Sequence, residues 1–134
     1  MLTIDPADNV TFWHTNEYYA VTSSANWFTR VGKFQFSSPA LTGLTYNGGT
    51  PFVDGTNLTR GTRYTIVAHA NAATQSVVFN KDGVDVKTDS ATPFNYSFKA
   101  GRLGSHTFVA TPWSSSGGTG TSGAPITVHF NIVR

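Results

Sequence analysis

The sequence has no cysteine and few charged residues, and these two shortages exclude several kinds of function. Without cysteine the chain forms no disulfide, no thiolate zinc site and no thiol nucleophile. Charged residues make up 12% of the chain, about half of the roughly 25% found in ordinary soluble domains. Its polarity comes instead from Thr, Ser and Asn, which together with 13 Gly favour strands and turns over helices. The composition therefore indicates an all-β module of the extracellular kind.

Two further absences concern membranes and nucleic acids. No stretch approaches the ~20 consecutive apolar residues of a membrane helix, and the first residues, MLTIDPADNV, lack the regions of a signal peptide. The 9 Lys and Arg against 7 Asp and Glu form no basic run, and the close pair Arg60 and Arg63 fits a solvated turn. We expect neither membrane insertion nor a nucleic-acid partner. Because Met1 runs directly into strand-like sequence, we interpret the chain as a segment of a longer exported protein.

The length of 134 residues fits one domain, and short alternating segments fill its second half. Residues 64–70 alternate in polarity, and Asp82-Gly83 is typical of a tight hairpin between residues 76–80 and 84–88. About seven strands are predicted after residue 55, at the spacing expected of a β-sandwich. The predicted core residues are Tyr64, Ile66, Ala68, Ala70, Phe94, Tyr96, Phe98, Phe108, Ala110, Ile126, Val128, Phe130 and Ile132.

The first third of the chain is less regular. Residues 9–13, 18–22 and 33–36 read as three short strands, the last with Phe34 and Phe36 on one face. Residues 37–55 are dense in Gly, Pro, Ser and Asn and contain the strong turn signal Asn47-Gly48-Gly49. We therefore predict a loop or hinge over residues 37–55.

Three segments resemble the bacterial immunoglobulin-like domain of secreted and cell-surface proteins: VVFNKDG, TDSATPFNYSF and LGSHTFVATPWSSSGGTGTSGAPITVHFNIV. The chain departs from that pattern in having Thr-Pro where Ala-Pro is common, and Trp113 where Tyr is common. The resemblance implies an all-β, immunoglobulin-like antiparallel β-sandwich with extra N-terminal strands, recognisable over residues 54–133, with residues 1–40 as an extension of one domain spanning 1–134. It also implies a secreted or cell-surface location and a non-catalytic role, since such domains accompany polysaccharide-degrading enzymes or adhesins.

A search for catalytic motifs supports the non-catalytic interpretation. Gly118 to Gly123 match G-x-G-x-x-G, but a strand follows where a dinucleotide site needs a helix, so we interpret this stretch as a flexible hairpin loop. The chain has no G-x-S-x-G nucleophile elbow, and nothing in the sequence brings Glu17 and Asp54 together as paired carboxylates. We therefore expect no enzyme activity.

Metal sites are also not expected from the sequence, with one alternative left open. Four histidines are present, and the predicted strands separate them. His69 and His129 lie on the polar faces of two different strands. His106 lies on the same face as Phe108, and His14 lies in the irregular first third. Asp5, Asp8 and Asn9 offer oxygens to a calcium ion, but three ligands fall short of the six to eight that calcium takes. We expect no cofactor, with a structural calcium as the alternative.

Aromatic residues supply the remaining functional signal. Sugar rings stack on aromatic planes while amides and charged groups bind their hydroxyls, so the sequence predicts a polysaccharide-binding accessory module. Its candidate site residues are Trp13, Tyr18, Tyr19, Trp27, Arg30 and Trp113, of which Trp113 is expected to be the most exposed. Three alternatives stay open: core packing by these rings, a structural or adhesive spacer role, and docking onto a neighbouring catalytic domain. A monomer is expected.

Overall fold

The computed structural model describes residues 1–7, 11–19, 27–35 and 37–134. Within these ranges the chain forms two compact units, Met1–Ser37 and Ser38–Arg134, here called the N-terminal sheet and the sandwich. No described helix is long and apolar enough to cross a membrane. The strands are β1 Leu2–Ile4, β2 Thr11–Tyr19, β3 Trp27–Gln35, β4 Leu41–Tyr46, β5 Thr50–Pro51, β6 Asn57–Thr59, β7 Arg63–Ala70, β8 Ser76–Lys81, β9 Val84–Asp89, β10 Phe94–Lys99, β11 Gly104–Ser115, β12 Thr119–Ser122 and β13 Ile126–Val133.

The N-terminal sheet is a three-stranded antiparallel sheet in the order β1-β2-β3. The prediction of three short strands was wrong in its boundaries, because residues 11–19 form one strand that pairs along its whole length with residues 27–35. Phe36 and the residues at 9–10 and 20–22 that were assigned to strands lie outside the described residues.

The sandwich has the two-sheet arrangement of an immunoglobulin-like domain, as the resemblance implies. One sheet has the order β10-β7-β4-β5, and the other has the order β6-β13-β11-β8-β9 with β12 also paired to β11. Neighbouring strands are antiparallel except β6 and β13, which run parallel. The immunoglobulin-like sandwich with extra N-terminal strands is therefore confirmed.

The hydrophobic core lies between the two sheets and consists mainly of the predicted residues. Phe52 fills its centre, with its ring 5.6 Å from that of Phe108 and 5.4 Å from that of Phe130. Every predicted core residue is buried or partly buried, and Ala70, Tyr96 and Ile126 are the partly buried ones. The alternation of apolar and polar residues identifies the core residues correctly here, because each strand presents one face to the other sheet.

Residues 37–55 are not a loop, so that prediction was wrong. They contain β4, which pairs with β7 and buries Leu44, and β5, which returns through the predicted Asn47-Gly48-Gly49 turn. All three turn residues have positive φ (42°, 88° and 118°). The pairing of β4 with β7 shifts register between Leu41 and Gly43, and this irregularity breaks the alternation that would have revealed the strand.

The Ser/Gly stretch after Trp113 is also more regular than predicted. β11 continues to Ser115 and β12 pairs back onto it, so most of the expected hairpin loop is strand. Its tip is held by the amides of Gly117 and Gly118, which donate to Ser90 Oγ and Ser76 Oγ, both at 2.9 Å. The Asp82-Gly83 hairpin is confirmed, with φ of 53° and 85°, values suited to a two-residue turn.

Candidate functional site

Trp13 lies in β2 of the N-terminal sheet with its indole fixed in place. Its Nε1 donates to Asp5 Oδ2 at 3.2 Å, while the other carboxylate oxygen of Asp5 accepts from the Ala7 amide at 2.9 Å. The side chain is nonetheless 36% exposed. Asp5 thus holds an indole at the surface, which is the condition for stacking on a flat ligand.

The neighbours of Trp13 are polar. The register places Thr3 of β1 and Lys33 of β3 directly beside it, and Lys33 Nζ lies 5.5 Å from the ring centroid, within cation–π range. Beside this row, Thr15 pairs with the exposed Val31. This surface therefore combines one exposed ring with hydroxyl and ammonium groups.

The structure separates Arg30 from Trp13. Arg30 pairs with Asn16, and because neighbouring positions along a strand face opposite ways, Arg30 and Trp13 lie on opposite faces of the sheet. The face that carries Arg30 also carries the stacked rings of Phe12 and Phe34, whose centroids are 5.2 Å apart. Arg30 and Trp13 do not form one binding surface.

The three other predicted residues of this region are described by their backbone alone. The register pairs Tyr19 with Trp27 and Tyr18 with Phe28. The positions of these side chains lie outside the described residues, so a continuous aromatic strip beside Trp13 stays a prediction.

Trp113 belongs to the sandwich and is less exposed than expected. It faces outward from β11, opposite Ser76, and is partly buried beneath its own hairpin. Its Nε1 is buried and has no hydrogen-bond partner among the described residues. Phe108 and Ala110 of β11 face the core, so Trp113 lies on the opposite face of the strand. The sequence contained no signal that the hairpin tip folds back over this face.

No group of three His, Asp or Glu side chains capable of holding a metal occurs within the described ranges. Of the proposed calcium ligands, Asp5 uses both carboxylate oxygens in the hydrogen bonds given above. Asp8 and Asn9 lie outside the described residues. The calcium alternative therefore stays a prediction.

A polar cluster that the sequence did not reveal joins the β8–β9 hairpin to β11. His106 is buried, and its Nδ1 lies 2.7 Å from Asp82 Oδ2 and its Nε2 2.8 Å from the Arg102 carbonyl oxygen. Lys81 Nζ lies 3.4 Å from the same Nδ1, so the imidazole, the carboxylate and the ammonium group form one connected cluster. Lys81 also pairs with Asp82, and the Thr107 amide donates to Asp82 Oδ1 at 3.0 Å.

This cluster makes the stability of the sandwich depend on pH. Partial burial raises the pKa of Asp82, but hydrogen bonds from Lys81, the Thr107 amide and His106 outweigh it and lower the pKa from 3.8 to about 2. A lowered pKa in the folded state means that the stabilisation is complete above about pH 4 and is lost as the pH falls through about 2. We expect Asp82→Asn to destabilise the sandwich at pH 7 by roughly 1 kcal/mol, since the side chain is 39% exposed and partly screened.

Denaturant unfolding of both proteins at pH 7 and at pH 2 measures this effect, and the difference between them should shrink at the lower pH. Asp85→Asn is the matched control, because within the described ranges the carboxylate of Asp85, in the same hairpin, accepts a hydrogen bond only from the Asn80 side-chain amide, at 2.8 Å. A pH-independent difference between wild type and Asp82→Asn would contradict the electrostatic account.

A buried carboxylate ties the other end of β9 to β10. Asp89 accepts from the amides of Asn95 at 2.9 Å and Ala91 at 3.3 Å, and from Lys87 Nζ at 3.0 Å. Lys87 also donates to the Asn95 carbonyl at 2.8 Å. Burial raises the pKa of Asp89, but these hydrogen bonds and the Lys87 charge lower it overall. The ionised form of Asp89 thus stabilises the folded sandwich.

Comparison with known proteins gives matches of structure alone. No protein-family description and no curated protein matches the chain. Solved fibronectin(III)-like modules of Clostridium thermocellum CbhA are similar with a TM-score of 0.49 and 19% identity, over 70% of this chain and 94% of that one. The extracellular domain of a putative one component system from B. thetaiotaomicron is similar with a TM-score of 0.52 and 10% identity, over 99% of this chain but 20% of that one. At such identity the second likeness concerns the fold alone.

Proposed function

We propose that the chain is a non-catalytic module of an extracellular protein, and that its sandwich acts as a rigid spacer that carries tension between its neighbours. The observation that carries this proposal is the path of the chain through the sandwich. Leu41, the first residue of β4, pairs with Ala70 at one end, and β13 finishes at the opposite end, where Ile132 pairs with Gly104. The chain thus enters and leaves at opposite ends.

This path loads the two terminal strands along their own axes. A pull on β4 at one end and on β13 at the other is opposed by all the hydrogen bonds of each strand together, since the force runs parallel to the strands. The parallel contact between β6 and β13 adds to this resistance, because Asn57, Leu58 and Thr59 pair with the last residues of β13. An extracellular spacer needs this resistance to stretching.

The loop between β7 and β8 is fixed by internal hydrogen bonds, which also suits a spacer. At the entry end, Asn71 Oδ1 accepts from the Ala40 amide at 3.1 Å, and its Nδ2 donates to the Ser38 carbonyl at 2.8 Å. Thr74 Oγ1 donates to the same Asn71 oxygen at 2.9 Å. The segment leading into β4 is thereby anchored to the loop between β7 and β8.

Single-molecule force measurements test the spacer proposal. Because the chain has no cysteine, handles attach only at introduced thiols. The double variant Ser38→Cys/Arg134→Cys is pulled from opposite ends, and Val84→Cys/Arg134→Cys is the control pulled from the same end, where strands peel apart one hydrogen bond at a time. We expect the first variant to unfold at a severalfold higher force. Equal forces, or a lower force for the first variant, would exclude a tension-bearing role.

Carbohydrate binding is a second candidate, favoured by the exposed and anchored indole of Trp13. A glycan ring stacked on it would have Thr3 and Thr15 beside it for hydroxyl contacts. Affinity electrophoresis against neutral polysaccharides should then show retardation that Trp13→Ala abolishes and that the control Trp113→Ala, in the sandwich, leaves intact. If no polysaccharide retards the unmodified chain, this candidate is lost.

A further inference from the structure

The Lys and Arg residues of the sandwich are concentrated at one end, the end where β13 finishes. There β7 begins beside the end of β10, with Arg63 paired to Lys99, and the Arg60 amide donates to the Val133 carbonyl at 2.8 Å. Apart from Lys87, every Lys and Arg of the sandwich lies at this end: Arg60, Arg63, Lys81, Lys99, Arg102 and Arg134. The opposite end, formed by residues 38–41, 70–76, 90–94 and 114–126, has no charged side chain.

Four of these cations form the surface here called the basic end: Arg60, Arg63, Lys99 and Arg102. All four are exposed, and within the described ranges none of them has a carboxylate within ion-pair distance. The nearby carboxylate of Asp82 is already paired with Lys81 and His106. The basic end therefore carries positive charge that the sandwich itself does not neutralise.

A cleft of about 560 Å³ lies among these charges. Lys99 and Arg102 line it together with Lys81 and His106, and Gly101 and Gly104 expose their backbone to it. Asp82 also lines the cleft, and its carboxylate is held by Lys81 and His106. A guanidinium pairs with a carboxylate through two parallel hydrogen bonds. The cleft and its rim are thus suited to carboxylate groups, and the spread of the four cations suits a ligand in which such groups repeat.

We propose that the basic end binds an acidic polysaccharide, one that carries a carboxylate on its sugar units. A protein partner fits less well, because the hot spots of protein interfaces are enriched in Trp and Tyr as well as Arg, and no Trp, Tyr or Phe of the described residues lines the cleft. Single-stranded nucleic acid needs exposed rings for base stacking, and the exposed aromatics of the described residues, Trp13 and Phe34, belong to the N-terminal sheet. This site depends neither on the spacer role nor on Trp13.

Affinity electrophoresis of the full chain in gels containing polygalacturonate tests the proposal, with neutral dextran and duplex DNA as comparison gels. The test variant is Lys99→Gln/Arg102→Gln. The control is Arg30→Gln, which removes a cation from the N-terminal sheet on the face opposite Trp13, and its match at the basic end is the single variant Arg102→Gln. Since these three side chains are exposed, all three variants should keep the thermal unfolding midpoint of the unmodified chain.

We expect polygalacturonate to retard the unmodified chain and dextran to leave it unretarded. The test variant should lose about tenfold in affinity, as expected when two ion pairs are removed, and the control should bind as the unmodified chain does. Binding should weaken as salt is added. Three results would overturn the proposal: no retardation by polygalacturonate, an equal loss in the control, or equally tight binding to duplex DNA, which would indicate attraction to any polyanion.

Discussion

Gly123→Ala is expected to destabilise the sandwich by about 3 kcal/mol or more, an effect at the upper end for an overpacked site. Gly123 lies after β12, and its amide donates to the Pro112 carbonyl at 2.9 Å. A Cβ at this position would lie 1.9 Å from the Pro39 carbonyl oxygen and 3.1 Å from Pro112 Cγ. The closest of these atoms belongs to the backbone, so rotation of a side chain does not relieve the clash.

Gly43→Ala is the matched control for this substitution. A Cβ at Gly43 would meet no atom within 4 Å, and alanine is more favourable than glycine within a strand. Denaturant unfolding followed by circular dichroism compares the two variants with the unmodified chain. If Gly123→Ala were as stable as Gly43→Ala, the close approach of residues 39 and 123 would be wrong.

Phe108→Ala is expected to cost about 3–5 kcal/mol, the range for a phenylalanine removed from a packed core. Phe108 is completely buried in β11. Its ring centroid lies 5.6 Å from that of Phe52, 5.9 Å from that of Phe79 and 6.2 Å from that of Tyr96, so it contacts rings contributed by both sheets. Its removal leaves a cavity that these rings are too constrained to fill.

Phe34→Ala makes the same chemical change at a side chain that is 42% exposed in the N-terminal sheet. The unfolding free energy should fall by less in this control than in Phe108→Ala, because the substitution removes less buried apolar surface. The measurement is denaturant unfolding of both variants at equal protein concentration. A loss below about 1 kcal/mol for Phe108→Ala would mean that Phe108 does not connect the two sheets as described.

The fold of the sandwich was largely predictable because its strands each bury one face. Phe94, Tyr96 and Phe98 alternate without interruption, and the prediction there is confirmed. β4 was missed because a register shift near Gly43 interrupts its alternation. β12 was missed because its residues are exposed Thr, Gly and Ser, so its pairing depends on backbone hydrogen bonds that leave no apolar pattern.

The candidate sites were less predictable because three-dimensional pairing creates them. Arg63 and Lys99 are 36 positions apart in the chain, yet the pairing of β7 with β10 places them side by side. A search for runs of basic residues does not detect such a cluster. In the same way, His106 and Asp82 meet because β11 passes the β8–β9 hairpin. The separation of Arg30 from Trp13 followed only from the observed register of β2 and β3.

The buried carboxylate of Asp89 has a consequence for how the sandwich unfolds. β9 belongs to one sheet and β10 to the other. Asp89 is the last residue of β9, and its carboxylate accepts a hydrogen bond from the backbone amide of Asn95 in β10. Separation of the sheets would therefore break the hydrogen bond from the Asn95 amide to Asp89 and the one from Lys87 Nζ to the Asn95 carbonyl. Neither sheet can loosen at this corner by itself, and we expect the sandwich to lose both sheets in a single cooperative transition.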